Sequence, residues 1–303
     1  MYRNIKKINI LKKELLHMPD GSLHIRHRNS YSIFTQYFFR GNERNINKDH
    51  ELIHLLARKK YLTRLIPFLE AEEEYSVPSS GSEVLYRRVN DVLNDFKSAG
   101  LEIARITMTP KQYRWMHGNF TSNPSHPEDL KFTTPSGILV RSKSERFIGE
   151  RYEFIGAPYR YEMPFTINVS QLVSYMTNFF SDFLKGRPLC FRDQYGFCVW
   201  NVPNEFSWMN SPGSVWRLFD SKTGTITIYP DFTTLTADNE LIIHEHEGLC
   251  DNPRYRCNAS ERIFLLRHSG AVSDENLILT FENDLEDINT LTDMLNRRIR
   301  PRI

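Results

Sequence analysis

The stretch Thr225–Gly248, TITIYPDFTTLTADNELIIHEHEG, decides how this chain is read. Its alternation predicts one strand over Thr225–Thr233 and a second over Leu241–Glu247, with Ala237-Asp238-Asn239 as the turn between them. Side chains alternate along a strand, so Glu245 and Glu247 project to one face while His244 and His246 project to the other. A tight turn would bring Asp231, where the first strand ends, across the ladder from the two glutamates. Carboxylates crowded on an apolar sheet cannot all be buried ionised, so the three acids call for a cation, and hard oxygen ligands suit Mg²⁺ or Mn²⁺. A lone Pro-Asp is usually only a strand end; its pairing with Glu-x-Glu gives it weight.

Working outward, a helix is expected over Ser142–Phe154, a short strand at Tyr159–Glu162, a helix over Pro253–His268, a strand at Leu277–Phe281 and a last helix over Leu285–Asn296. The order α-β-β-β-α-β-α predicts an α+β domain with a mixed sheet. Neighbouring strands pair antiparallel, and the helical crossover before Leu277 brings in a parallel one. Ser142 and Glu145 have the spacing of a capping box, and Lys143 is an ordinary first-turn lysine. His244, His246, Cys250 and Cys257 fit no standard zinc spacing, and buried polar packing is the simpler reading.

Four segments carry a resemblance: Arg141-Ser142-Lys143-Ser144-Glu145, Tyr159-Arg160-Tyr161-Glu162, Pro230-Asp231-Phe232-Thr233 and Ile243-His244-Glu245-His246-Glu247-Gly248. Together they resemble the PD-(D/E)XK nuclease superfamily with its restriction-endonuclease-like fold. The chain is also similar to an uncharacterised branch in bacteria and prophages that begins with a short basic module holding a Gly-Ser-Leu-His-Ile-like strand. The likeness is clear over residues 136–167 and 226–303 and weaker over the first 70. It implies an αβββαβ core with an insertion, and Mg²⁺-dependent (or Mn²⁺-dependent) endonuclease action on DNA in phage defence or a mobile element. On that pattern Asp231 is the central metal ligand, Glu245 the second, and Glu145 an outer ligand or water-mediated contact. Glu247 departs from the commonest pattern, which has lysine there. Either Glu247 binds a second metal or acts as a base through water, or Lys143 supplies the missing amine, or activity has been lost. A divalent ion would activate the attacking water and neutralise the leaving oxygen, while Arg160, Arg254 and Arg256 steer the backbone. A ribonuclease, and an inert nucleic-acid-binding or toxin-antitoxin-like interaction protein, are the competing readings.

The 303 residues carry 39 basic and 37 acidic side chains, but 14 of the basic and only 5 of the acidic ones precede Pro67. Such asymmetry suggests a basic module that meets a polyanion, joined to a body with another task. Within it a helix over Tyr2–Leu16 ends at Met18-Pro19-Asp20-Gly21. A hairpin follows with Leu23, Ile25 and His27 on one face and His24, Arg26 and Arg28 on the other, a combination that can contact phosphates and stack on bases. Asn47 is expected to cap a helix with Leu52, Leu55 and Leu56 inward and Arg58, Lys59, Lys60 and Arg64 in water. The expected domains are a small basic α/β module over 1–70, a helical connector over 71–135 with a helix at 83–99, and the catalytic domain over 136–303.

An insertion over about 168–222 interrupts that domain. Leu172, Met176, Phe179, Phe180 and Phe183 form an apolar stripe there that packs on the body by default, with a second copy or another protein as the sharper option. Trp200, Trp208 and Trp216 belong to the same local core or stack on unpaired bases. The composition is that of a globular protein. No apolar run approaches the ~18 residues of a membrane span, and lysines interrupt the first apolar residues, so a cytoplasmic protein without a leader is expected. The four cysteines include no Cys-x-x-Cys pair and are expected reduced.

Overall fold

The structure, a computed structural model, describes residues 3–38, 41–74, 80–169, 190–192, 198–200, 218–220, 222–248, 253–268, 272–299 and 302. It is a mixed α+β chain whose contacts divide into two units: Met1–Gly118 with Leu235–Glu240 and Arg297–Ile303, and Asn119–Thr234 with Leu241–Asn296.

In the first unit, helix α1 (Arg3–Leu16) buries Ile8 and Leu11 and stops before Gly21, whose φ of +84° and closeness to the Tyr37 carbonyl exclude a side chain. Strands β1 (Ser22–His27) and β2 (Ser32–Tyr37) pair antiparallel from Ser22↔Tyr37 to His27↔Ser32, and β3 (Glu43–Asn45) pairs with β2, which leaves β1 at an edge. Leu23 is fully buried whereas His24 and Arg26 are exposed, as the alternation demands.

Helix α2 (His50–Glu74) is capped by Asp49, whose Oδ1 accepts from Leu52 N at 3.0 Å; Asn47, expected in that role, instead accepts from Phe34 N at 2.6 Å. Arg58, expected in water, is 3% exposed. Its guanidinium grips both Glu14 oxygens and donates to the Ile106 carbonyl at 2.6 Å, so the charge is buried only with its partners. Helices α3 (Ser80–Ser98), α4 (Ile103–Thr107) and α5 (Pro110–His117) follow. Val89, Val92, Phe96 and Ile106 share one core with Leu23, Ile53, Leu56 and Leu62, so residues 71–118 belong with the basic module in one unit. Leu235–Glu240 joins it through Gln112 Nε2 to Leu235 O, 2.9 Å, and Lys6 paired with Asp238 and Glu240.

The second unit opens with the pair β4 (Phe132–Thr133) and β5 (Leu139–Val140), then helix α6 (Lys143–Phe154). Next come β6 (Arg160–Tyr161), β7 (Phe165–Asn168), β8 (Cys190–Arg192), β9 (Cys198–Trp200), β10 (Phe219–Asp220), β11 (Thr225–Ile228), β12 (Phe232–Leu235) and β13 (Leu241–Glu247). Helix α7 (Pro253–His268), β14 (Leu277–Phe281) and α8 (Ile288–Arg298) complete it.

The strand expected over Thr225–Thr233 is two strands in two sheets: β11 lies between β10 and β7, and β12 between β6 and β13. Pro230 has no N–H to give a ladder, so the chain changes sheets at Tyr229-Pro230-Asp231. The four-stranded sheet has the order β14-β13-β12-β6, with β6 antiparallel to β12 and β14 parallel to β13 across the α7 crossover. The calls on Gln171–Leu184, Trp208, Trp216 and Cys250 lie outside the described residues, as does the side chain of Trp200.

Helix α6 covers one face of this sheet. Phe232 stacks on Tyr152 at 5.4 Å and meets Tyr161 edge-on at 5.7 Å, and a Cβ on Gly149 would come 2.9 Å from the Thr134 methyl, so the helix lies close. No helix among the described residues is long and apolar enough to cross a membrane.

Candidate active site

Asp231 sits at the break between β11 and β12, and β13 runs beside β12. Its carbonyl accepts from Glu162 N at 3.2 Å and its Oδ2 from His246 N at 2.7 Å, which fixes the carboxylate against β13. Glu245, 1% exposed, is held by Arg262 of α7, whose Nη2 lies 2.7 and 2.6 Å from the two carboxylate oxygens and 3.2 Å from the Tyr229 carbonyl. Glu247 is also buried.

Three acids therefore act on one guanidinium. Burial, and then the charge of Glu245, push the Asp231 carboxyl well above the usual carboxylate range, against the pull of Arg262. Burial pushes Glu245 up to about 7, with Arg262 opposing and Glu247 adding to the push. Burial works against the charge of Arg262, yet Glu245, Asp231 and Glu247 hold it protonated. The pocket of negative charge is real, but its counterion is a residue that sequence reasoning missed. The available signal was an arginine inside the apolar run Ile263-Phe264-Leu265-Leu266 of a helix that must cover the sheet.

The expected convergence of carboxylates is looser than a ready-made ligand set. Glu145 Oε2 accepts from Arg141 N at 2.8 Å, Ser142 N at 2.7 Å and Tyr161 Oη at 3.1 Å, completing the capping box of α6. Its charge nevertheless reaches Asp231. Each buried acid has taken a donor, as the cost of desolvating several anions requires. Among the described residues, the single group of three donors within 4.8 Å of one another is His126, Glu128 and Asp129, largely at the surface.

The other expected site residues are scattered. Lys143 is exposed in the first turn of α6. Arg160, expected to steer substrate, is 8% exposed with its guanidinium 4.5 Å from the Phe120 ring centroid. A flat, weakly hydrated cation buries well against an aromatic face, which turns it inward. The side chains of Arg254, Arg256 and Cys257 lie outside the described residues, although the backbone there is helical. In the first unit, Arg26 pairs with Glu43 at 3.1 Å and Arg28 is exposed at the hairpin turn.

On the opposite face of β13 the histidines form a chain. Tyr152 Oη lies 3.1 Å from His244 Nδ1, His244 Nε2 2.9 Å from Thr280 Oγ1, and Thr280 Oγ1 3.1 Å from His246 Nδ1. His246 Nε2 then lies 3.3 Å from Glu282, which also accepts from Ser144 Oγ at 2.9 Å. Burial, and then His246, lower His244 to about 3, so it is neutral. A neutral His244 allows one consistent direction, each hydroxyl or ring N–H donating toward Glu282. Both rings are thus engaged in packing, and the ring of His246 locks the backbone that holds Asp231.

Arg141 braces the entrance to α6. Its Nε and Nη2 bind the two oxygens of Glu162 at 2.8 and 3.0 Å, while Nη1 and Nη2 donate to the His126 and Ser125 carbonyls at 2.6 and 2.5 Å. Glu162 has φ of +45°, a strained conformation for a side chain of its size, held by this pair and by its amide bond to Asp231.

The chain matches no family model, and comparison with curated proteins and with solved structures also gives no match.

Proposed function

We propose that this chain is a divalent-metal-dependent nuclease that hydrolyses phosphodiester bonds of DNA, built on the restriction-endonuclease-like plan of the PD-(D/E)XK superfamily. The observation that carries this reading is the set of three carboxylates, Asp231, Glu245 and Glu247, around one arginine, with Asp231 and Glu245 both pushed upward by desolvation and mutual repulsion. Buried negative charge in excess of its counterion fits a hard cation held by oxygen donors. The chain order α6, β6, β12, β13, α7, β14 around one sheet supports the same plan.

Asp231 and Glu245 would hold the ion, whose chemistry is to lower the pKa of a bound water and to neutralise the leaving oxygen. The protein's own work is placement. His246 N fixes the Asp231 carboxylate, Arg262 fixes Glu245, and Glu145 fixes the start of α6 beside Asp231. Glu247 stands where the family most often carries lysine and is the base available to the water.

One observation favours the second reading, an inert nucleic-acid-binding protein that keeps the fold. Arg262 already satisfies both oxygens of Glu245, so the sheet does not need a metal to be stable. Incubating the protein with plasmid, linear duplex, single-stranded DNA and RNA in Mg²⁺, Mn²⁺ or EDTA separates the two. Metal-dependent DNA cutting that Asp231→Asn abolishes supports the nuclease; binding without cutting supports the inert protein; cutting confined to RNA makes it a ribonuclease.

A further inference from the structure

A cleft of about 480 Å³ opens in the first unit between β1 and α2. Its polar lining includes His24 and Arg26 from the strand and Lys59, Lys60 and Arg64 from the helix, and no acidic residue lines it. Positions 59, 60 and 64 share one face of α2 because they are one and four residues apart. Two of these cations are partly offset from outside the cleft, Arg26 by Glu43 at 3.1 Å and Lys60 by Asp95 at 3.6 Å. Lys59 donates to the Pro19 carbonyl at 2.8 Å, which leaves its charge without an acid, and Arg64 is exposed with no ion pair among the described residues.

Three further features shape what fits. Because β1 is an edge strand, one row of its backbone N–H groups has no ladder partner within the sheet, and a sheet edge flanked by cations is a concavity for anions. The His24 ring stacks on Tyr37 at 4.8 Å and 12°, presenting a flat aromatic pair at the cleft wall. Leu23 and Leu56 give it an aliphatic floor. Cations for phosphate, a flat ring for a base and an apolar floor together describe a nucleotide unit, whereas an acidic peptide would use only the first. The volume lies within the ~300–1,000 Å³ of ordinary ligand sites.

We infer that this cleft is a nucleotide-binding site, which holds a phosphate against Lys59 and Arg64 and a base against His24, and that it anchors a nucleic-acid strand. The inference rests on the nucleic-acid reading above but not on catalysis. It is tested on the full chain in EDTA, where nothing is cut, by fluorescence anisotropy with a labelled single-stranded oligonucleotide across a salt series. Arg64→Gln with Lys59→Gln should weaken binding roughly tenfold and flatten the log–log salt slope by about 2, as expected for two lost phosphate contacts. Arg88→Gln, an equal change of charge per site on exposed α3, should change affinity less than twofold, and thermal melting should show all variants folded.

His24→Ala should lower affinity for the oligonucleotide but not for inorganic phosphate. Competition by a mononucleotide at lower concentration than by inorganic phosphate supports the site and points to a free nucleotide or a strand end. Equal weakening by Arg88→Gln, or competition by a poly-glutamate peptide as strong as by the oligonucleotide, would overturn it. Metal-dependent cutting with an unaltered salt slope in the cleft variant would sink the cleft alone; slope loss without any cutting would sink the nuclease alone.

Discussion

Arg262 reaches Glu245 through one terminal nitrogen, and that contact sets the electrostatics around Asp231. Removing it strands two or three acids in a poorly hydrated place. Arg262→Gln is therefore expected to lower unfolding free energy by about 3 kcal/mol, measured by urea denaturation in EDTA. Adding Mn²⁺ should recover more of that loss than it adds to the unaltered protein, because the acids then lack their internal counterion. An equal Mn²⁺ shift in both proteins would show that the acids do not compete for the two cations.

The Glu245 carboxyl also gives a pH signature. Its folded value near 7 exceeds its ordinary 4.5, so the folded state binds the proton more tightly. Its contribution to stability is complete below about pH 4.5 and is lost as pH rises to about 7. Glu245→Gln should remove that part of the slope when the melting temperature is followed against pH in EDTA. Parallel curves for the two proteins would contradict the assignment.

Strand β13 does two jobs because neighbouring side chains face opposite ways. Its acids meet Arg262 of α7, and its histidines form the chain through Thr280 that ends on Glu282 and Ser144. Thr280→Val removes the hydroxyl shared by two buried rings and should cost roughly 2 kcal/mol in a denaturation series. It should also reduce metal-dependent cutting more than that loss of folded protein explains, since His246 carries the amide that holds Asp231. At the start of α6, Ser142→Ala should cost about 1 kcal/mol as a lost cap.

Much of this element structure was legible in the sequence. The helix at Pro253–His268 and the strand at Leu277–Phe281 follow from periodicity, and the Ser142–Glu145 spacing was enough to place a cap. The switch of sheets at Pro230 was not, because a run of β-formers looks the same whether it stays in one ladder or leaves it. Asn47 and Asp49 were equally good caps in sequence, and only the pairing of Phe34 N decides between them.

Taken as a whole chain, the uneven charge was visible in composition, and the structure gives it a place: a cleft along the β1 edge rather than a diffuse surface. Some cations left that surface for reasons composition cannot show. Arg58 is consumed by Glu14, Arg160 by burial against Phe120, and Arg262 by Glu245. The acids of the site were legible because three carboxylates on adjacent strands must be neutralised; their neutraliser was not, because it arrives from a helix 17 residues further along.

The account depends on Asp231 and Glu245 holding one divalent ion together. Titrating Mn²⁺ into the full chain, with free Mn²⁺ followed by its paramagnetic resonance signal, should show saturable uptake that Asp231→Asn and Glu245→Gln each weaken at least tenfold. Uptake that neither substitution changes, or no uptake at all above pH 7, would contradict it.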